Sequence, residues 1–134
     1  MALCTNVMNK YGDYFYFVFR VLAGLLFMMH GGQKLFGWFG GQSQPLASLM
    51  GVAGTVELIG GLAIPLGFFT RLAAFGSAIQ MLVAYFKVHA PGGLIPLVNK
   101  GELALLYFAV FLVLMAYGSK KWSLENALLK KEVF

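Results

Sequence analysis

The chain has 134 residues, enough for one domain and too few for two. Only 11% of them are charged, against 60% hydrophobic and 16% aromatic, and the mean hydropathy is +0.78; an average soluble domain carries about 25% charged residues. That composition excludes a disordered chain and argues against a soluble fold, and a single cysteine, Cys4, excludes a disulfide-stapled one. An integral membrane protein remains. The net charge of +5 does not point to nucleic acid, because the basic residues are scattered or sit just beyond apolar stretches. No basic patch is interleaved with stacking aromatics. These residues read as anchors at anionic headgroups and as topology signals.

The N-terminus, MALCTNVMNKYGDYF, lacks the apolar core and small-residue cleavage site of a signal peptide, so the first apolar segment is expected to stay in the mature chain. A hydrocarbon core of about 30 Å needs about 20 apolar residues per helix. Four segments approach that length, at residues 14–36, 46–69, 71–90 and 102–117. The connections agree. WFGGQSQP is glycine-rich and ends in proline, Phe69-Thr70-Arg71 is tight, and APGGLIPLVNKG carries two prolines and three glycines. Its LIPLV run is apolar enough to dip into the membrane or lie on it. The expected fold is all-α, a single domain over 1–134. It is an integral membrane four-helix bundle with a short C-terminal interfacial helix in 122–134. In that tail Ser123 is the N-cap, Trp122, Leu124, Leu128 and Leu129 share an apolar face, and Glu125, Lys130 and Lys131 face water.

Four spans place both termini on one side. That side holds Lys10, Arg71, Lys120, Lys121, Lys130 and Lys131, and the other only Lys34, Lys87 and Lys100. The positive-inside rule therefore puts both termini in the cytoplasm.

Charges inside an apolar span are costly and normally face the bundle interior. In the first span Arg20, His30 and Lys34 lie near one helical stripe with Gly24, Phe27 and Gly31. Glu57 sits deep in the second span, on a face with Gly54 and Gly61. Small residues let helices approach closely, so that face packs on a neighbour. A carboxylate at this depth must be neutral or paired, and Arg20 and Lys34 are the cations available. Gln80 and His89 on the third span and Asn99 and Glu102 at the start of the fourth converge on the same side. Such a cluster between helices is where bundles bind ligands. Glu57 and His30 are the candidate catalytic residues. Arg20, Lys34, Gln80, His89, Asn99 and Glu102 are the candidate ligand contacts, and no metal-ligand spacing is present. A structural ion pair accounts for Glu57 equally well. A haem held by His30 and His89 is disfavoured, because their depths differ by roughly 7 Å at 1.5 Å per residue.

The runs RVLAGLLFMMHGGQKLFGWFGG (20–41), ELIGGLAIPLGFFTRLAA (57–74), KGELALLYFAVFLVL and the late WSLENALL resemble the DoxX family of small bacterial membrane proteins. The likeness covers nearly the whole chain and maps onto Arg20, Gly24, His30, Gly31, Lys34, Glu57, Gly61, Gly67, Arg71 and Glu102. The family's late Ser-Leu-Asp is here Ser123-Leu124-Glu125. The resemblance implies a four-helix bundle in the bacterial inner membrane. It also implies a part in a redox complex, since a related subunit belongs to a thiosulfate:quinone oxidoreductase and other members are linked to defence against oxidative and thiol stress. The implied cofactor is a membrane quinone, with His30 or Lys34 bonding its oxygen and Glu57 passing protons. The implied partner is an oxidoreductase subunit; the bilayer is expected from the composition, and a second copy from the glycine faces. A small-solute or proton pathway through Glu57, Lys34 and His30, and a non-catalytic scaffold, are the alternatives.

Overall fold

The computed structural model describes residues 2–133, with side chains from Thr5 onward. Met1 and Phe134, the ends of the expected domain and tail, and the Cys4 side chain lie outside the described residues. Among the described residues every regular element is helical. Helix α1 is Ala2–Phe36, α2 is Leu49–Leu66, α3 is Thr70–Ala84, α4 is the single turn Pro96–Asn99, α5 is Glu102–Tyr117 and α6 is Leu124–Leu129.

The boundaries follow local chemistry. Helix α1 starts well before residue 14 because no proline interrupts the polar run ahead of it. Its 35 residues make about 52 Å at 1.5 Å per residue, so the exposed stretch 5–12 overhangs any 30 Å hydrocarbon layer. The Ser48 hydroxyl accepts from Gly51 N at 3.0 Å and caps α2. Gly67, at φ 65, ends it in the left-handed conformation. Helix α3 continues through a π-helical turn, Tyr85–His89, and a 3-10 turn, Ala90–Gly92. Helix α5 matches its expected range at both ends.

Among the described residues three stretches are long and apolar enough to cross a membrane, Thr5–Phe36, Leu49–Leu66 and Thr70–Gly92. Helix α5 is apolar but has 16 residues, about 24 Å. The exterior is that of a lipid-facing protein: Leu22, Ile59, Leu72 and Leu106 are more than half exposed, whereas Arg20, Glu57 and Glu125 are buried. A soluble monomer rarely exposes so much contiguous apolar surface.

The chain packs mainly as two antiparallel pairs, α1 on α2 and α3 on α5, joined by α2 on α3. The first pair closes on glycine. A Cβ on Gly31 would strike the α2 backbone at Leu58, and one on Gly61 would strike the α1 backbone at Met28. The glycine faces expected to pair two copies thus serve a contact within one chain. Across the middle, Phe27 meets Phe111 at 4.7 Å between ring centroids, and Ile64, Ala74 and Leu114 complete a layer of apolar side chains shut off from solvent.

One end of the molecule, the loop end, carries the connections 37–48 and 90–101. The other, the strap end, carries the Gly67–Phe69 turn and residues 118–133. The strap departs from the tail expected on periodicity. Ser123 does cap α6, accepting from Asn126 N at 3.2 Å. Glu125, expected in water, is fully buried. Its backbone N–H donates to Gly67 O at 3.1 Å and its Oε1 accepts from Val133 N at 2.8 Å. Leu128 and Leu129 are exposed instead. The segment folds under the helix ends, so tertiary docking rather than the helical wheel decides which side chains are covered.

Candidate functional site

Lys34 reaches Glu57 because the backbones of α1 and α2 almost touch. A Cβ on Gly54 would crowd the Lys34 side chain. The last turn of α1 is tied down by Gln44 N, which donates to Lys34 O at 2.8 Å. Glu57 is 1% exposed. Its Oε1 accepts from Lys34 Nζ and from Gln80 Nε2, the latter at 2.7 Å. Its Oε2 is buried with no hydrogen-bond partner, and so is Gln80 Oε1. A buried carboxylate is stable only with such neutralisation. The spare oxygens leave this cluster able to take one more donor or a proton.

Two cavities flank the cluster. A half-open cleft of about 490 Å³ lies between α2 and α3 on the apolar exterior. Val52, Val56, Ile79 and Val83 wall it, and Lys34, Gln80 and His89 give it its polar edge. A smaller chamber of about 190 Å³ lies inside the loop end, lined by His30, Lys34, Glu57, His89, Lys100 and Tyr107 among others. Only Lys34, Ala84 and His89 line both.

His89 sits on the π-helical turn, a distortion that recurs at functional sites. Its Nδ1 is 3.1 Å from Asn99 O. A carbonyl can only accept, so Nδ1 carries the hydrogen and Nε2 is the free nitrogen. Asn99 serves the loop: its Nδ2 donates to Gly93 O at 2.6 Å and its Oδ1 accepts from Gly101 N at 2.7 Å. Tyr85 adds a bond to Leu94 O at 2.9 Å.

The expected site residues therefore divide. Lys34 and Gln80 are each bonded to Glu57. His30 and His89 line the chamber together, so the depth difference expected between them does not keep them apart. Asn99 stands behind His89. Glu102 is exposed on the first turn of α5 and lines a separate groove with Pro96 and Leu106. Arg20 lies 14 residues before Lys34, about 21 Å along α1, and its Nη2 donates to Trp122 O at 2.8 Å in the strap. Of the two cations expected for Glu57, Lys34 is the partner and Arg20 is not.

Tyr107 and Lys100 belong to the chamber and were not among the expected contacts. Tyr107 is 7% exposed, and its ring meets His30 edge-on at 6.1 Å. The signal was the spacing of Ala104, Tyr107, Phe111 and Leu114, the buried face of α5. It is faint because the whole helix is apolar and offers no polar face for contrast. Among the described residues no three His, Cys, Asp or Glu side chains gather to hold a metal ion.

Comparison with known proteins bears on the same segment. The DoxX family model matches residues 15–90, which carry Lys34, Glu57, Gln80 and both histidines. An uncharacterized protein of Haemophilus influenzae is 35% identical over 133 residues, covering 94% of this chain and 99% of its own length. A second uncharacterized protein of that organism is 35% identical over 75 residues, 56% of this chain and 49% of its own length. No solved structure matches.

Proposed function

The chain belongs to the DoxX family and is a multi-pass membrane protein, and from that premise we propose that it is the quinone-binding subunit of a redox complex in the bacterial inner membrane. In this reading α5 is the fourth span, and both termini lie in the cytoplasm.

The observation that supports it most is that Lys34 and Gln80, the two hydrogen-bond partners of Glu57, form the polar edge of a cleft open to the bilayer. A membrane quinone has a flat polar head and an apolar tail, and the cleft offers matching surfaces. Lys34 Nζ is a donor for a ring oxygen, and His89 Nε2 and the unpartnered Gln80 Oε1 are acceptors for a ring hydroxyl. When bound, a quinone supplies two-electron chemistry coupled to proton uptake, with the electrons coming from an oxidoreductase partner. This chain supplies position and protons. Lys34 and Gln80 orient the head, the valines of α2 and α3 exclude water from it, and Glu57 holds or yields a proton at its carboxylate.

Gly76 provides the test. It lines the cleft, and a Cβ added there meets nothing within 4 Å. Gly76→Leu projects an isobutyl group toward the cleft from a position where Cβ is unobstructed, and replaces a poor helix former by a good one. The expected result is quinone in lipid extracts of the purified protein, detected by mass spectrometry, and its loss from Gly76→Leu with thermal stability unchanged or raised. Wild-type protein that neither retains nor binds quinone sinks the reading.

A further inference from the structure

The two polar ends of the bundle are separated by a dry layer, and only one of them communicates with Glu57. We propose that the chamber at the loop end is a hydrated proton path, and that Glu57 exchanges protons through it with the loop side of the membrane alone. This rests on the reading that Glu57 serves a ligand in the cleft, and adds a direction to it.

The chamber is of a size and polarity to hold water. At about 30 Å³ per molecule its 190 Å³ takes about six waters. Polar groups face Glu57 from each element packed around it: Lys34 and His30 from α1, Gln80 and His89 from α3 and its extension, Lys100 from the loop and Tyr107 from α5. Lys100, one of the lining residues, is exposed on the 90–101 connection, so the lining continues to the loop surface. Glu57 lines the chamber, and its Oε2 has no hydrogen-bond partner.

Toward the strap end α1, α2 and α5 turn only apolar side chains inward at this level; α3 adds the buried hydroxyls of Ser77 and Thr70, which stand seven residues apart with the buried Ala74 between them. Seven residues, about 10 Å, separate Glu57 from Ile64 on α2, Lys34 from Phe27 on α1 and Tyr107 from Leu114 on α5. Phe27, Ile64, Phe111 and Leu114 are at most 1% exposed. The next polar layer, Arg20 and Tyr16, is closed over by the strap, with Tyr16 donating to Gly118 O at 2.6 Å and Arg20 to Trp122 O. Protons leaving or reaching the cleft would thus cross to one compartment, which makes the chemistry there vectorial.

Cysteine accessibility tests this in a Cys4→Ser background, in sealed vesicles, with a membrane-impermeant thiol reagent added on one side at a time. Val98→Cys marks the loop side and Lys131→Cys the strap side, both positions being exposed. Ala104→Cys and Ala84→Cys report the chamber, and Ala74→Cys, fully buried, reports the dry layer. The expected result is labelling of Ala104→Cys from the Val98 side only and none of Ala74→Cys from either side. Ala84→Cys gives the same reading should Ala104→Cys not fold. The infrared carboxylic-acid band that is lost in Glu57→Gln is expected to follow the pH of the Val98 side only. Chamber labelling from the Lys131 side or from neither side overturns the proposal, as does a band that follows the Lys131 side. One-sided access in a protein that binds no quinone defeats the functional reading alone; quinone binding with two-sided access defeats this inference alone.

Discussion

The loop end and the strap end each bury charge in a chain that has little of it, and they handle it in opposite ways. At the strap end the protein covers its own polar groups with backbone. Carbonyls of Trp122 and Gly118 accept from Arg20 and Tyr16, and Ala116 O accepts from Arg71 at 2.9 Å. At the loop end the charges meet side chains and open space: Glu57 faces Lys34, Gln80 and a chamber; unpartnered atoms occur at both ends, Glu57 Oε2 at one and Arg20 Nε and Nη1 at the other, and the cavity is what separates them. A buried charge closed over by its own chain is part of the fold, whereas one left beside a cavity has capacity for a ligand. Mutations at the two ends should therefore fail differently, the first in stability and the second in activity.

The largest effect belongs to the strap end. Gly67 stands at φ 65, against the Arg20 guanidinium and Ser123, so any side chain there is both strained and overpacked. Gly67→Ala is expected to cost about 3 kcal/mol, left-handed strain and overpacking contributing about 1–2 each. Thermal unfolding in detergent reads this out, with quinone occupancy unchanged in the fraction still folded. A variant as stable as wild type would remove the strap from its structural role.

Glu57→Gln should do the reverse. The amide oxygen can still accept from Lys34 and Gln80, and Lys34 is partly open to the chamber, where water can solvate it. Folding stability is expected to move by less than about 1 kcal/mol. Quinone reduction in membranes, with thiosulfate or a thiol as donor, is expected to fall about 100-fold, the low end of what a positioned acid–base group supplies. Normal turnover in this variant would favour the scaffold reading, and with it the view that Lys34–Glu57 only holds two helices together.

The contrast between the ends was half visible in the amino-acid order. Glu57 among glycines, and Lys34 on the glycine stripe of α1, announce a close helix pair with a charge to neutralise, because both signals are local and periodic. The length of α5 was legible for the same reason. Arg20 was ambiguous: it shares a stripe with Lys34, and helical periodicity reports direction around the axis but not which partner waits at each depth. What waits for it is a strap about 100 residues later in the chain, held mostly by backbone carbonyls that no side-chain pattern encodes. The burial of Glu125 was illegible on those grounds too. Tyr107 escaped notice because a uniformly apolar helix has no polar face against which an inward residue stands out.

The smallest effect marks where the strap meets water. Lys121 and Asp13 pair at 2.7 Å on the surface, joining the strap to α1 just after its overhanging stretch. The hydrogen bond to Asp13 holds the Lys121 ammonium above its ordinary range. A raised lysine value means that the pair's contribution is complete below the pKa of unfolded lysine and is lost as pH climbs through the higher folded value. Both side chains are solvated, so salt screens them. Asp13→Asn is accordingly expected to leave thermal stability at neutral pH almost unchanged in high salt and slightly lower at low ionic strength. The wild type should converge on the variant as the solution is made strongly alkaline. A large, salt-independent loss in Asp13→Asn would mean that the strap is secured from its solvent edge, and that the buried contacts at Gly67 and Arg20 are the lesser part of its hold.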